Sequence, residues 1–312
     1  MIAHYDAAVS AEIEEILAGL NLPQKKLSPK YFYDERGSQL FDQITELEEY
    51  YPFRTEASIL KRTVPEIFAG LGEDLTIVEY GSGSSVKTEI LLDHLADLAA
   101  YIPLDISGEH LLKSAKRLAS RYPHLKIDPI VADYTQPFKL PDTIGRRIVF
   151  FPGSTIGNFE RELAIQFLSS ISEIIGPDGG LLLGVDLKKD PARLHAAYND
   201  SKGVTAAFNL NLLEHLNREY GANFNLAAFR HYAFYNPYAG RIEMHLVSEQ
   251  DQAVCVAGEL VAFREGETLW TESSCKYTVE EFAQLAQEAG LRVKQVWTDE
   301  EELFSVQYLI RA

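Results

Sequence analysis

Cysteine, methionine and tryptophan occur only twice each in the 312-residue chain, and its 29 Lys and Arg are outnumbered by 46 Asp and Glu. Cys255 and Cys275 are too few for a disulfide framework or an all-cysteine metal site, which fits a reducing cytoplasm. One chance disulfide is the only pairing open. The formal net charge of −17 excludes a sequence-independent nucleic-acid binder, which needs surplus cations to displace counterions. A small-molecule partner is expected instead. No run approaches the about eighteen apolar residues of a membrane span. The segment Met1 to Leu20 carries Asp6, Glu12, Glu14 and Glu15, so it lacks the basic start and apolar stretch of a signal peptide. Neither a membrane nor a nucleic acid is therefore expected as a partner. The eight histidines lack metal-ligand spacing, and no metal is expected. What is present is 46% hydrophobic residues, enough for one large core or two moderate ones.

Ala8, Val9, Ile13, Ile16, Leu17 and Leu20 recur at helical spacing, predicting a packing helix that ends near Asn21-Leu22-Pro23. An aromatic and charged stretch follows, Tyr31 to Ser38, then a short helix around Leu40 to Ile44 and the segment Glu49-Tyr50-Tyr51-Pro52. Tyrosines around such a loop either pack structurally or line a pocket with phenols. From Thr55 to about Ala69 a helix leads into a strand at Leu75 to Tyr80. Helices at about 88–98, 109–121 and 160–175 then alternate with strands at 101–104, 127–132, 147–151 and 181–185. This order predicts an α/β fold, a doubly wound parallel sheet covered on both faces. Runs such as Ile148-Val149-Phe150-Phe151, apolar at every position, suit strands buried on both sides. After Asp186 the style changes to a long helical stretch, Pro191 to Tyr220, and strands at 230–234, 241–247 and 259–263. The Asn236-Pro237-Tyr238-Ala239-Gly240 turn between the first two predicts a hairpin, and this part reads as an inserted second domain. A helix at 279–289 and strands at 293–298 and 304–310 return to the first style.

The chain is organised around Ile77-Val78-Glu79-Tyr80-Gly81-Ser82-Gly83-Ser84-Ser85, a buried strand opening into a small-residue loop that lets backbone approach a ligand. In doubly wound sheets ligands lie beyond the C-terminal strand ends. Those ends carry Glu79, Asp105, Asp133-Tyr134, Pro152-Gly153-Ser154 and Asp186. Asp105 is placed to accept ribose hydroxyls. Asp133 could meet an adenine amino group, with Tyr134 against the ring. A dinucleotide fingerprint would need glycine at position 86, where Val86 stands, so S-adenosylmethionine, which has no phosphates, suits this corner better. Gly153-Ser154-Thr155-Ile156-Gly157 has the outline of a hydrolase nucleophile elbow, but Thr155 holds the nucleophile position and no histidine sits in a recognisable base context.

Several segments together resemble the L-histidine Nα-methyltransferases of ergothioneine biosynthesis. They are Tyr31-Phe32-Tyr33-Asp34 with Gly37-Ser38; Leu40-Phe41-Asp42-Gln43-Ile44-Thr45; Glu49-Tyr50-Tyr51-Pro52 with Arg54-Thr55-Glu56; and Gly81-Ser82-Gly83. Further along come Gly153-Ser154-Thr155-Ile156-Gly157-Asn158; Gly203-Val204-Thr205-Ala206-Ala207-Phe208-Asn209; Arg241-Ile242-Glu243-Met244; and Thr271-Glu272 with Ser274-Cys275-Lys276. The resemblance implies a Rossmann-like S-adenosylmethionine-binding domain of residues 55–188 and 276–312, and a mixed α+β substrate domain of residues 1–54 and 189–275. It implies cofactor contacts at Gly81, Lys87, Asp105, Asp133 and Tyr134, the last often phenylalanine in the family. The 153–158 motif, through Gly153, Thr155 and Asn158, together with Tyr50 and Tyr198 would hold the amino acid's backbone groups, with Tyr33 near the reacting amine. Glu272 and Ser274 would read the imidazole, and Met244 would line the pocket.

On this resemblance the expected enzyme is a monomer that methylates the α-amino group of L-histidine up to three times, giving hercynine and S-adenosylhomocysteine. Tyr33 and Asn158 are the residues expected at the reacting amine. A carboxylate tied to a ring nitrogen would be left unpaired by an aliphatic side chain, so Glu272 and Met244 favour histidine over tryptophan. The alternatives are a methyltransferase for tryptophan or a thiohistidine, and a non-catalytic nucleotide-binding protein.

Overall fold

The computed structural model describes residues 7–69, 71, 74–83, 85–95, 98–136, 138–143 and 145–312. Asp6, one of the four acids read against a signal peptide, and Ser84 of the glycine loop lie outside them. The described chain forms two compact units, one of residues 50–190, 237–241 and 274–312, the other of 1–49, 191–236 and 242–273.

The first of these is built on a sheet in the order 291–298, 304–311, 180–186, 146–151, 75–80, 98–105, 126–127. Period-two alternation gives each strand two apolar faces. Val78, Tyr80, Ile102, Leu104, Val149, Phe151, Leu181 and Leu183 face one way, into a core with Phe167 and Leu168 of helix Arg161–Ile175 and Phe282 of helix Val279–Glu288. Leu75, Ile77, Tyr101, Ile148, Phe150 and Leu182 face the other, against Ile59, Leu60 and Val64 of helix Tyr51–Ala69. Burying each such side chain contributes about 1.5–3 kcal/mol, and both faces do so, which is why these strands carry no polar alternation.

The expected parallel sheet is in fact mixed. Phe304–Arg311 pairs antiparallel with both Gly180–Asp186 and Leu291–Thr298. The connection through 299–303 is a tight turn in which the Asp299 carboxylate accepts the amides of Glu301, Leu303 and Phe304, and a turn that short cannot make a parallel crossover. The strand expected at 127–132 is split into Lys126–Ile127 and Ile130–Val131, because Pro129 cannot donate to the ladder. The helix expected from Thr55 starts at Tyr51 with Pro52 in its first turn, where the missing amide hydrogen costs nothing.

In the second unit a short sheet runs in the order 25–26, 268–275, 241–248, 229–236. The long helical stretch divides into Pro191–Tyr198 and Val204–Glu219. Asp200 restarts it by accepting the amides of Val204 and Thr205, an N-cap displaced by the Gly203 turn. The polar strand Thr268–Cys275 and the strand Gln252–Val256 were not expected from sequence. Asp34 caps the helix Glu35–Thr45 through the Gly37 amide, so the Tyr-Phe-Tyr-Asp motif begins that helix.

Gly184, mid-strand, shows how tightly the sheet and helix Tyr51–Ala69 meet. A Cβ at this position would lie 2.0 Å from Oε1 of Glu56. Gly184→Ala must displace that buried carboxylate, and the expected loss of stability is about 1–3 kcal/mol, read as a lower urea midpoint at unchanged slope.

Candidate active site

Four strands of the sheet deliver their C-terminal ends to one edge, and the residues there are tied to one another. Gly81, at φ +70°, turns the chain after the 75–80 strand while its amide and that of Ser82 donate to the Leu104 carbonyl. Asp105 ends the neighbouring strand. Its Oδ2 accepts the Gly83 amide at 3.0 Å and its Oδ1 the Ser107 amide at 2.9 Å, leaving each oxygen with further acceptor capacity. Burial raises its pKa, against those amide hydrogen bonds. Ser82 Oγ is buried with no hydrogen-bond partner among the described residues, and a Cβ built on Gly83 meets nothing within 4 Å. An unsatisfied hydroxyl, an acceptor carboxylate and an open backbone corner fit a polar, non-phosphate ligand such as S-adenosylmethionine.

Asp133 forms its own turn, Oδ1 accepting both the amide and the hydroxyl of Thr135. Tyr134 packs edge-on to Tyr80 and Phe151 at 5.6 and 6.0 Å. Its ring also lies within 3.9 Å of a Cβ built on Gly81, so it walls the glycine turn. Burial, reinforced by the carboxylates of Asp105 and Asp133, holds its hydroxyl well above an ordinary phenol.

Lys87 is placed differently from a side chain reaching out to a ligand. Its ammonium is buried on Glu56 Oε2 at 2.5 Å and lies over the Phe53 ring. Glu56 also accepts the Gly153 amide, at 3.1 and 2.8 Å. The residue sequence reasoning missed is thus Glu56, which joins the helix Tyr51–Ala69 to the 153–158 motif. Its only signal was its place in the Arg54-Thr55-Glu56 segment.

That motif is a strained turn with three anchors. Ser154, at φ +57°, uses Oγ to accept the Asp186 amide at 2.9 Å, and Thr155 Oγ1 donates to the Pro152 carbonyl at 3.0 Å. Both hydroxyls are used within the fold, which speaks against a nucleophile elbow. A Cβ on Gly157 would fall 2.7 Å from the Cys275 carbonyl, so only glycine lets the turn carrying Asn158 approach the residue beside Ser274.

Asp186 gathers three side chains on its carboxylate. It accepts Tyr51 Oη at 2.8 and 2.9 Å, Lys189 Nζ at 2.6 Å and Lys276 Nζ at 2.7 Å. Burial alone would raise its pKa, but Lys276 and Lys189 more than offset this and hold it below the usual carboxylate range. Burial lowers Lys189 to about 8, with Asp186 opposing. Tyr51 therefore has a structural partner, while Tyr50 stands half-buried just before the helix. Lys276 also donates to Ser274 Oγ at 2.7 Å.

In the other unit, Tyr33 packs edge-on to Phe41 and Phe208, both at 5.9 Å. Asn209 knits the elements that carry Tyr198, Met244 and Glu272. Its Oδ1 accepts Thr271 Oγ1 at 2.7 Å, and its Nδ2 donates to the His245 carbonyl and to His231 Nδ1. His231 Nε2 in turn donates to the Tyr198 carbonyl at 2.9 Å; because Nδ1 accepts from Asn209 the ring is neutral, and burial lowers its pKa. Thr271 bonds the Met244 carbonyl as well. The Gly203 to Asn209 motif is thus structural. Met244 is buried and Glu272 half-buried.

A family profile described as "Histidine-specific methyltransferase, SAM-dependent" matches residues 12–311. The chain belongs to this family. Among its relatives is the histidine N-alpha-methyltransferase of Mycolicibacterium smegmatis, 44% identical over 98% of this chain and 97% of that protein. Ergothioneine biosynthesis protein 1 of Neurospora crassa is 33% identical over 88% of this chain and 32% of its own length. A solved S-adenosylmethionine-dependent methyltransferase from Clostridium acetobutylicum shares the fold at a TM-score of 0.51 and 10% identity, covering 89% of this chain and 98% of that one. The family resemblance and the Rossmann-like methyltransferase fold expected from sequence are borne out.

Glu79, the last acid before the glycine turn, is buried and pushed up to about 7 by desolvation, although the hydroxyls of Thr88 and Tyr101 donate to it at 2.6 and 2.5 Å. The folded state thus holds this proton more tightly than the unfolded chain, whose value is 4.5. The group costs no stability below the unfolded value; the cost grows as pH rises and is complete above about 7. Relative to Glu79→Gln, the ligand-free wild type should lose on the order of 3 kcal/mol between pH 4.5 and 8, measured by urea unfolding across that range.

Proposed function

We propose that the protein transfers methyl groups from S-adenosylmethionine to the α-amino nitrogen of L-histidine, in up to three rounds, releasing S-adenosylhomocysteine each time and ending at hercynine. The observation that carries this reading is the near end-to-end likeness to a histidine N-alpha-methyltransferase, which spans both units of the fold. The sheet-bearing unit is assigned the methyl donor, with Gly81, Asp105, Asp133 and Tyr134 as contacts. Lys87 serves there by fixing Glu56 and the Gly153 amide. Tyr33, Tyr50, Gly153, Thr155, Asn158, Tyr198, Met244, Glu272 and Ser274 are assigned to the amino acid. We take the enzyme to be a cytoplasmic monomer.

When bound, S-adenosylmethionine supplies a methyl group already activated on a sulfonium. The remaining task is alignment of a neutral amine lone pair. Asn158 orients the amine through an uncharged amide, and the Tyr50 and Tyr198 phenols donate to the substrate carboxylate. An ammonium cannot attack, so each round must first lose a proton, to water or through Tyr33. Glu272 and Ser274 stand two apart on one strand and so share a face, the spacing needed to meet two positions of one small ring.

Mass spectrometry of histidine incubated with protein and S-adenosylmethionine should show gain of one, two and three methyl groups. Gain on tryptophan and none on histidine would overturn the substrate. Glu272→Ala should raise the KM for histidine roughly 10- to 100-fold, the loss expected for a charged hydrogen bond, with the Kd for S-adenosylmethionine nearly unchanged. Equal weakening of both would make Glu272 a structural residue.

A further inference from the structure

The proposed reading assigns Ser274 to the substrate ring but leaves its direction of hydrogen bonding open, since a hydroxyl both donates and accepts. The buried groups behind it close that choice. Asp186 accepts Lys276 Nζ at 2.7 Å, and the same ammonium reaches Ser274 Oγ at 2.7 Å. An ammonium only donates, so Ser274 Oγ is the acceptor in that pair. Its own hydrogen points away from Lys276, and the neighbouring positive charge makes the hydroxyl a better donor and a poorer acceptor. The main-chain amide of Lys276 is pinned on the Gly240 carbonyl at 2.8 Å, and both side chains are buried. Charged or titratable groups near this relay include Tyr51 and Lys189 on Asp186, Asp299 towards Lys189, and Arg241 beside Cys275.

We propose that Lys276 is a positioning residue that fixes Ser274 as a hydrogen-bond donor, so that the site selects the neutral imidazole of its amino-acid substrate and rejects the imidazolium. This rests on the histidine methyltransferase reading. A neutral ring offers one N–H, suited to Glu272, and one lone pair, suited to a donating Ser274. An imidazolium presents N–H groups at both positions and meets a donor with a donor.

The test compares histidine with a ring-fluorinated histidine whose imidazole stays neutral at all pH values used, so that protonation of the α-amine cancels in the ratio of their KM values. Between pH 7.5 and 5.5 the histidine to fluorohistidine KM ratio should rise about tenfold as the ring titrates near 6.5, with the kcat ratio flat. Lys276→Met should raise the KM for histidine several-fold at pH 8 and flatten the pH dependence of the ratio, and Ser274→Ala should do the same. In the Ser274→Ala background, Lys276→Met should add nothing. Lys276→Gln gives the same flattening if the methionine variant does not fold, because an amide oxygen lets Ser274 turn round and accept. A wild type that methylates histidine with a pH-independent ratio overturns the role of Lys276 alone. Additive losses in the double variant, with S-adenosylmethionine binding weakened equally, also overturn it by making Lys276 structural. A wild type that transfers no methyl to histidine overturns this inference together with the function it rests on.

Discussion

The buried carboxylate of Asp186 is the point on which the sheet-bearing unit turns. It ends the 180–186 strand, just before the chain departs into the inserted residues from Pro191, and it is bonded by Lys276, just after the chain returns at Ser274. Breaking a buried ion pair costs about 3–5 kcal/mol because the surviving charge stays uncompensated. Two ammoniums and a phenol share this one carboxylate, so departure and return are held by the same atoms. Its amide, held by Ser154, brings the 153–158 turn into the same arrangement. Loss of the carboxylate would release the helix start at Tyr51 and the returning chain at Lys276 at once.

Much of this was legible in the sequence, and the reason is burial. Strands covered on both faces must be apolar throughout, so Ile148 to Phe151 and Leu181 to Leu183 declared themselves. Short loops at their ends then exposed Gly81, Asp105 and Asp133. The strand carrying Glu272 and Ser274 did not show, because Thr268 to Cys275 places polar side chains on both faces and owes its regularity to neighbours such as Asn209. The antiparallel insertion of 304–311 was hidden for a related reason. Pairing direction depends on connection length and on the Asp299 turn, and apolar periodicity records neither.

The charged residues divide by the same logic. Asp105 could be read by its position because its work at the strand end needs only local backbone. Lys87 entered as a ligand contact through the family resemblance, and its ammonium lies on Glu56. Their sequence separation of thirty-one residues leaves no pattern to detect. Ion pairs between two helices, here Val86–Leu92 and Tyr51–Ala69, are set by tertiary packing, and glycines such as Gly184 and Gly157 mark the close approaches only once the structure is seen.

The position of the 304–311 strand governs how the chain can fold. It comes after every other strand of its sheet in the chain, yet it lies between two of them and supplies Phe304, Val306 and Tyr308 to the core. A ribosome-bound chain lacking it would hold the 180–186 strand with one edge bare and the 291–298 strand with no partner. Closure of this sheet therefore waits for residues 304–311 and proceeds through contacts far apart in sequence, the slow class of folding reaction.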